Sequence, residues 1–338
     1  MKRIIRTKYR LLRLLSKIFI ILLLLPLIYN FIPVQKGKSI FYLPSSDIDS
    51  VIDTLKENGY GVSEIDKLML KYLNPPVEGW YTVEKTPKKR FKFFEQLNKQ
   101  KSKTMRVKLY AGENSIELTK RLAKDLKLNP RKLLEEYRRL TKYLEGDIFA
   151  GFYQVARKAD ERAVITALFK ASERRLKTFT SIHCKDIKNP NELELKILLI
   201  IASIIQKETN NKQEMYLVSS VIENRLNKGM KLQMDGTLNY GKHSHKRVTP
   251  KRIRKDLSYY NTYIHGGIPP APLCTVDIYA LEAALHPKKT NYLYFMLNRK
   301  GKHYFTSSYK QHIKNIKTFR SKKKKIDNNT TKKSKPSV

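Results

Sequence analysis

The sequence of 338 residues is poor in cysteine and has no excess of glycine or proline. Cys184 and Cys274 are its only cysteines, and neither forms a C-x-x-C pair. This excludes a disulfide-stapled small domain and a zinc module built from several cysteines, and it leaves open one disulfide between the two. Glycine and proline number 13 and 14. Such ordinary numbers exclude a collagen-like or linker-dominated chain.

Motifs for metals and common cofactors are also missing. The seven histidines form no H-E-x-x-H pair. We therefore predict no metal. The sequence has no G-x-S-x-G, no P-loop and no G-x-G-x-x-G. This removes the usual hydrolase, NTPase and dinucleotide-binding classes, and we expect no cofactor.

Acidic residues are scarce: 30 Asp and Glu face 69 Lys and Arg, a net charge of +39. The basic residues occur along the whole chain and are densest in both tails. The sequence contains no zinc finger, no RRM signature and no clear helix-turn-helix. We therefore favour an anionic membrane or wall surface over nucleic acid as the partner of this charge. The hydrophobic share of 41 % excludes wholesale disorder, and the length predicts roughly two domains plus extras.

One segment near the N-terminus is apolar enough to cross a membrane. Lys2 to Lys17 contains seven basic residues and no acid, and Ile18 to Ile32 is an apolar run. With its apolar flanks the run reaches about 21 residues, which is enough to span a bilayer. No small-residue cleavage site follows, so we predict an uncleaved anchor with a cytoplasmic N-terminus and translocation from about Lys36 onward. The later apolar stretch from Ile197 to Ile205 is too short to span.

Behind this anchor a strand, a tight turn and a helix occur twice. The first copy runs from Ser39 to Asn58 and the second from Met105 to Leu126, with Asp47 and Asn114 as turn and cap residues before the helices. A further strand is predicted at Gly79 to Val83 and a short basic helix at Arg90 to Gln100. These small α+β units bind sugar, or they only hold the rest of the chain away from the bilayer; the pattern leaves both open.

A carboxylate ends the most apolar helix of the sequence. Leu193 to Glu208 is hydrophobic on nearly every face through its middle, which predicts a central helix. Glu208 lies three and four residues after Ile205 and Ile204, so helical geometry places it on an apolar stripe. Burial there would raise its pKa and let it act as a general acid near neutral pH. A solvated Glu at a fraying helix end is the alternative that periodicity leaves open.

The next segments supply polar and aromatic residues. A helix is predicted from Gln213 to Lys228, ended by Gly229. In Met230 to Gly236 apolar and polar residues alternate, which predicts a short strand with Gln233 and Asp235 on one polar face, either a groove or an exposed edge. Later come a tyrosine cluster at Tyr259–Tyr263, a Gly/Pro loop at His265–Pro272 that is suited to form one wall of a binding site, and a helix over Thr275–His286. A hairpin with strands at Tyr292–Leu297 and Lys302–Thr306 follows.

The order and spacing of seven motifs resemble those of the MltG/YceG family, the membrane-anchored endolytic murein transglycosylases. The motifs lie at Ala202–Glu208, Val221–Met230, Leu232–Thr237 with Tyr240–Gly241, Tyr260–Tyr263, Gly267–Pro272, Tyr292–Phe295 and His303–Thr306. The region around Gly112 is similar to the family's LysM-like part, and Leu144–Gly146 to its bridge. The chain departs from the family where Gln206 replaces a common acid, where Gly236 and Tyr259 replace proline, and where Ala271 replaces glycine.

The resemblance implies an α+β fold with an N-terminal transmembrane helix, small LysM-like α+β units and a mainly helical catalytic domain with short strands and a hairpin. The implied division begins with a basic cytoplasmic tail (1–17), an anchor (18–34) and a LysM-like domain (35–143). A bridge (144–191), a catalytic domain (192–319) and a disordered basic tail (320–338) follow. The catalytic domain is expected outside the cytoplasmic (inner) membrane, in the periplasm.

The resemblance also implies the chemistry: cleavage of the MurNAc-β-1,4-GlcNAc bond within nascent peptidoglycan strands to leave 1,6-anhydroMurNAc ends, beside the peptidoglycan synthases. Glu208 is the implied catalytic residue, and the implied substrate contacts are Gln233, Asp235, Thr237, Asn261, Tyr263 and His303. Two other functions stay open, a membrane-anchored binder of anionic polymer or peptidoglycan without catalysis and a muramidase that uses water.

Overall fold

The computed structural model describes residues 2–183, 191–298 and 301–319. It divides the chain into two compact units. The first holds the chain up to Val107 together with Gln154–Lys170, and the second holds Lys108–Tyr153 and the chain from Ala171 onward. The chain crosses from one unit to the other three times, and each unit is described here by itself. The division into six functional segments stays a prediction.

The first unit begins with helix α1 (Lys2–Asn30) and continues as a strand–helix–helix–strand segment. Strand β1 (Ile40–Leu43) pairs antiparallel with β2 (Gly79–Thr82), and α2 (Ile48–Glu57) and α3 (Asp66–Tyr72) lie between them in the chain. Helix α4 (Arg90–Leu97) follows. The apolar faces of these elements form one core, which includes Phe41, Val51, Ile52, Leu55, Leu70, Tyr81, Phe93 and Leu97.

The same order of elements recurs in strand β3 (Thr104–Leu109), helices α5 (Ser115–Leu126) and α6 (Pro130–Leu140), and strand β4 (Gly151–Ala156), with β3 and β4 paired. The repeated strand and helix are therefore confirmed, and Asp47 and Asn114 cap α2 and α5 as predicted. The sequence prediction missed α3 and α6. Each repeat therefore contains a strand, two helices and a second strand, whereas the repeat predicted from the sequence contains one strand and one helix.

Helix α7 (Glu161–His183) begins in the first unit and ends in the second. The second unit is built around α8 (Glu192–Glu208), which packs against α9 (Lys212–Asn227) and α11 (Ile278–Leu285). The short α10 (Pro250–Lys255) lies between α9 and α11 in the chain. An antiparallel hairpin of β5 (Tyr294–Leu297) and β6 (His303–Thr306) and a last helix over 309–319 follow.

These elements confirm the predicted central helix, the helix after it and the hairpin. The strand predicted over Met230 to Gly236 is wrong. The segment has no regular secondary structure up to Met234, and it then forms a 3-10 turn over Asp235–Leu238. Gln233 has a left-handed φ of 49°, which a regular strand does not contain.

Among the described residues, one helix is long and apolar enough to cross a membrane: the part of α1 over Arg13–Asn30. Cys274 is a buried free thiol. Cys184 and the tail at 320–338, which is predicted to be disordered, lie outside the described residues, and the disorder of the tail stays a prediction.

Candidate active site

Glu208 is the last residue of α8. The helix ends there because Thr209 is extended, with φ −153° and ψ 149°. Ile204 and Ile205 on the preceding turn are fully buried, and the Glu208 side chain beside them is partly buried. A carboxylate at this end also meets the negative pole of the helix dipole, which disfavours its charged form. The local sequence thus places an acid where ionisation is costly.

One oxygen of Glu208 is held by the backbone of Gly236. The Gly236 N–H donates to Oε1 at 2.8 Å. A Cβ at position 236 would lie 2.7 Å from that same oxygen and 2.8 Å from Cβ of Lys207. A side chain at position 236 would therefore require Glu208 or Lys207 to shift. Oε2 accepts no hydrogen bond from any described residue and is not sealed from solvent.

Burial raises the pKa of Glu208 from its ordinary 4.5 to about 7. The Gly236 N–H opposes this shift because it stabilises the carboxylate, and the nearby charge of Asp235 adds to it because two like charges repel. A carboxyl with a pKa near neutrality can give up a proton and take it back under physiological conditions. This property is what general acid–base catalysis requires.

Asp235 and Tyr263 form a second polar pair next to this carboxyl. The Tyr263 hydroxyl donates to Asp235 Oδ1 at 2.6 Å. Burial, followed by the hydrogen bond to Asp235, raises the pKa of Tyr263 above its ordinary value, so the phenol stays a donor. Side chains alternate between buried and exposed from Leu232 to Gly236, and both Gln233 and Asp235 are exposed. The predicted polar face is present although the strand is not.

Two of the residues proposed to bind substrate lie under this surface. Thr237 is fully buried; its hydroxyl donates to the Met234 carbonyl at 2.8 Å and lies 2.9 Å from that of Thr262. Asn261 is also fully buried, and its Nδ2 donates to the backbone carbonyls of Ile253 and Asp256. Their polar groups hold the loops together, which favours support of the site over contact with substrate.

His303 is joined to the site through another residue. Its Nδ1 lies 2.7 Å from Glu214 Oε2, and its backbone N–H donates to Glu214 Oε1 at 3.0 Å. Thr209, the residue after Glu208, donates its hydroxyl to Glu214 Oε2 at 3.2 Å. Glu214 thus ties the β5–β6 hairpin to the end of α8, and the His303 side chain is almost fully buried.

Sequence reasoning missed two basic residues that fix this region. Arg225 is 7 % exposed and donates from Nε to the Leu293 carbonyl and from Nη1 to the Leu232 carbonyl, each at 2.6 Å. It therefore holds the segment that leads to Gln233. Its spacing of three and seven residues after Ile222 and Val218, both buried, is the signal that could have shown it on the inner face of α9.

Lys207 is the second of these. Its Nζ donates to the Gly112 carbonyl at 2.7 Å and to the Ser244 hydroxyl at 2.9 Å. No local pattern predicts these contacts, because Gly112 and Ser244 are distant in sequence. Lys207 thereby fixes the last turn of α8, to which Glu208 belongs.

A second buried carboxyl, Glu145, lies in the same unit. Its two oxygens accept from the backbone N–H and the hydroxyl of Ser115, both at 2.7 Å. Burial raises its pKa to about 7 against these hydrogen bonds. Glu145 closes the start of α5 and has both oxygens occupied. Within the described ranges no group of three His, Cys, Asp or Glu side chains could hold a metal ion.

A mainly helical unit with a buried carboxyl at the end of its central helix defines a candidate acid–base enzyme. Comparison with known sequences is more specific. The chain belongs to the YceG-like family, whose model matches residues 42–318.

The relatives and a solved structure agree with this family. The chain is 36 % identical over 172 residues to an endolytic murein transglycosylase of Bacillus subtilis, covering 51 % of this chain and 46 % of that one. It is 28 % identical over 179 residues to an endolytic murein transglycosylase of Streptococcus pneumoniae, of which 32 % is covered. These matches thus span less than half of each relative. A crystal structure of a YceG-like protein from Listeria monocytogenes superposes with a TM-score of 0.52 at 25 % identity, covering 82 % of this chain and 99 % of that one.

Proposed function

We propose that this protein is a membrane-anchored lytic transglycosylase that cuts peptidoglycan glycan strands internally. The observation that carries the proposal is Glu208: a largely desolvated carboxyl with a pKa of about 7, one oxygen held by Gly236 and the other free. The family and the names of its relatives supply the substrate class.

The reaction needs one group that serves first as acid and then as base. The protonated Glu208 gives its proton to O4 of the leaving GlcNAc, and the bond between O4 and C1 of MurNAc breaks with its electron pair on O4. The MurNAc C6 hydroxyl then closes on C1 and gives its proton to the Glu208 carboxylate. The products are a GlcNAc end and a 1,6-anhydroMurNAc end, and Glu208 is again protonated.

A second acid is not required for this route, because the nucleophile is a hydroxyl of the substrate itself. In two-carboxylate glycosidases the second carboxylate activates water or attacks the sugar. Here Asp235 is held by the Tyr263 hydroxyl at 2.6 Å and is exposed beside Glu208. We assign Asp235, Gln233 and Tyr263 to hydrogen bonding with sugar hydroxyls and amides, with charge stabilisation at C1 as a lesser role for Asp235.

The anchor and the partners belong to the same proposal. Arg13–Asn30 of α1 would cross the cytoplasmic membrane, with the basic residues before it on the cytoplasmic side and the chain after α1 outside. The two strand–helix–helix–strand segments would be LysM-like. In that position the enzyme would cut nascent strands next to the peptidoglycan synthases and limit strand length.

Digestion of uncrosslinked glycan by the full-length protein in detergent tests the reaction. We expect internal cuts whose new MurNAc ends are lighter by one water molecule than hydrolysed ends, as read by mass spectrometry. Reducing MurNAc ends would instead show a muramidase. Binding of glycan without any cut would favour the non-catalytic binder and contradict the proposal.

A further inference from the structure

The end of α1 is fixed rigidly to the first unit. The Tyr29 hydroxyl lies 2.7 Å from that of Ser63 and donates to Asp66 Oδ2 at 3.1 Å. Asp66 is fully buried and pairs with Arg90, whose Nε donates to Oδ1 at 2.7 Å. Arg90 also donates to the Ile32 carbonyl at 3.1 Å and lies 4.5 Å from the Tyr29 ring centre. A buried pair with its hydrogen bonds satisfied in this way holds one geometry.

Helix α3, which contains Asp66, has an apolar face that nothing in the first unit covers. Ile65, Leu68 and Tyr72 are 53 %, 66 % and 86 % exposed. Their spacing of three and four residues puts them on one side of the helix. Leu70, on the opposite side, is fully buried in the core. We call these three exposed residues the α3 face.

Other apolar side chains are exposed around the end of α1. Phe31 and Ile32, directly after α1, are 63 % and 51 % exposed. The Phe91 N–H donates to the Asn30 side chain at 2.8 Å, which brings exposed Phe91 to the same place. Basic residues lie in both places: Lys89 is 5.4 Å from the Phe31 ring centre, and Lys71 belongs to α3. Lys67, also on α3, pairs with Asp49 and Glu64.

We propose that the α3 face lies on the surface of the membrane that α1 enters, with its side chains at the level of the lipid headgroups. This rests on the proposed anchoring by α1. Asp66, the first residue of α3, bonds to Tyr29 near the end of α1, and at about 1.5 Å per residue the seven residues of α3 extend roughly 10 Å from there. Headgroup regions extend about 5–8 Å beyond the hydrocarbon core, and Tyr29 sits where interfacial aromatics are usual.

Lipid fits this surface better than a protein partner. A stable protein interface buries about 800 Å² on each side, which three side chains on two helical turns do not supply. Apolar side chains bordered by lysines are typical of helices that lie in the membrane interface, where the apolar face enters and the cations meet anionic headgroups. The contact would fix the orientation of the first unit above the bilayer.

The test uses the full-length protein in vesicles of phosphatidylcholine and phosphatidylglycerol whose acyl chains carry bromine near the headgroup. Bromine quenches tryptophan fluorescence only on close approach. The native Trp80 is 6 % exposed and supplies a constant background. Tyr72→Trp places a second tryptophan on the α3 face, and Lys103→Trp is the matched control at an exposed site of the same unit.

We expect bromolipids to remove roughly half of the emission added by Tyr72→Trp, because an interfacial side chain enters about 5–10 Å into the boundary region. The emission added by Lys103→Trp should not change. Equal, weak quenching of both variants in protein that floats with the vesicles would overturn the inference while leaving the anchor intact. Protein that does not float would overturn both. Since these vesicles contain no other protein, quenching can come only from lipid.

Discussion

Glu208 and Glu145 are two carboxyls of the second unit that look alike by burial and charge. For both, burial raises the pKa from 4.5 to about 7. They differ in what their oxygens contact. Both oxygens of Glu145 accept from Ser115, whereas Glu208 has one donor, Gly236, and one oxygen without a donor among the described residues.

This difference shows that a raised pKa alone does not identify a catalytic acid. Glu145 is enclosed by the helix start that it caps, and each of its oxygens already accepts a hydrogen bond from Ser115. Burial raises the pKa of Glu208 to about 7 as well, but one of its oxygens has no donor among the described residues and lies near exposed Asp235 and half-buried Tyr263. The availability of an oxygen, rather than the pKa, is therefore the reason to propose Glu208 and not Glu145 as the catalytic acid.

The largest effect should separate the two carboxyls by activity. Glu208→Gln keeps the volume but can neither protonate O4 nor take the C6 proton, so the turnover of uncrosslinked glycan should fall by roughly 100- to 10,000-fold. Glu145→Gln should keep turnover within about threefold in the folded fraction, because it removes no group from the reaction. Product release followed by mass spectrometry measures both, and circular dichroism checks the fold.

Gly236 should give the next largest effect. Gly236→Pro removes the N–H that holds Oε1 of Glu208, and it adds a Cβ that would lie 2.7 Å from this oxygen. A hydrogen bond to a charged group contributes about 1.5–3 kcal/mol, so turnover should fall by roughly 10- to 150-fold. The pKa of Glu208 should rise, since the lost donor stabilised the carboxylate, and the alkaline limb of the pH profile should move upward.

A double variant provides the control for this effect. If Gly236 acts through Glu208, adding Gly236→Pro to Glu208→Gln should cause almost no further loss of turnover. Fully additive losses in the double variant would mean that the proline disturbs the site in another way, and would remove Gly236 from the proposed positioning of Glu208.

Sequence patterns predicted the parts of this site that depend on periodicity. The apolar stripe of α8 located Glu208, and alternation after Met230 identified Gln233 and Asp235 as outward-facing. Both patterns are local, since side-chain direction follows from the helical or extended backbone. The same reasoning could not separate Glu208 from a frayed helix end, because its burial depends on Gly236, a residue distant in the chain.

What the sequence did not predict depends on tertiary contacts. Thr237 and Asn261 carry polar groups typical of sugar contacts, yet their bonds go to neighbouring loops. The second helix of each repeat was missed for different reasons. Helix α3 is short and leaves an apolar face exposed. Helix α6, in contrast, has clear local start signals, an Asn129 cap and Pro130 at its first turn, and is predictable from them.

A smaller effect should follow from the charge next to Glu208. Asp235→Asn leaves an oxygen for the Tyr263 hydroxyl but removes the negative charge that raises the pKa of Glu208. The alkaline limb of the pH profile should therefore move down, by about half a unit to one unit. Tyr263→Phe is the complementary control, because it removes the hydrogen bond that Asp235→Asn can keep and retains the charge of Asp235. A downward shift in Tyr263→Phe of the same size would contradict the electrostatic explanation.

The smallest effect concerns stability and compares the two carboxyls once more. The folded pKa of Glu208 lies above its unfolded value, so the folded protein binds the proton more tightly. Its stability is greatest below about pH 4.5 and falls as pH rises toward 7. Glu208→Gln removes this dependence and should stabilise the protein by about 1–3 kcal/mol at about pH 8, with little gain at about pH 4.5.

Glu145→Gln removes the same penalty but leaves one of the two Ser115 donors without an acceptor, which costs about 1–3 kcal/mol, so its net gain at about pH 8 should be near zero or negative. Scanning calorimetry of the three proteins at both pH values measures the differences. Equal gains for both variants would mean that the hydrogen bonds of Glu145 contribute little, and that the two carboxyls differ less than their contacts indicate.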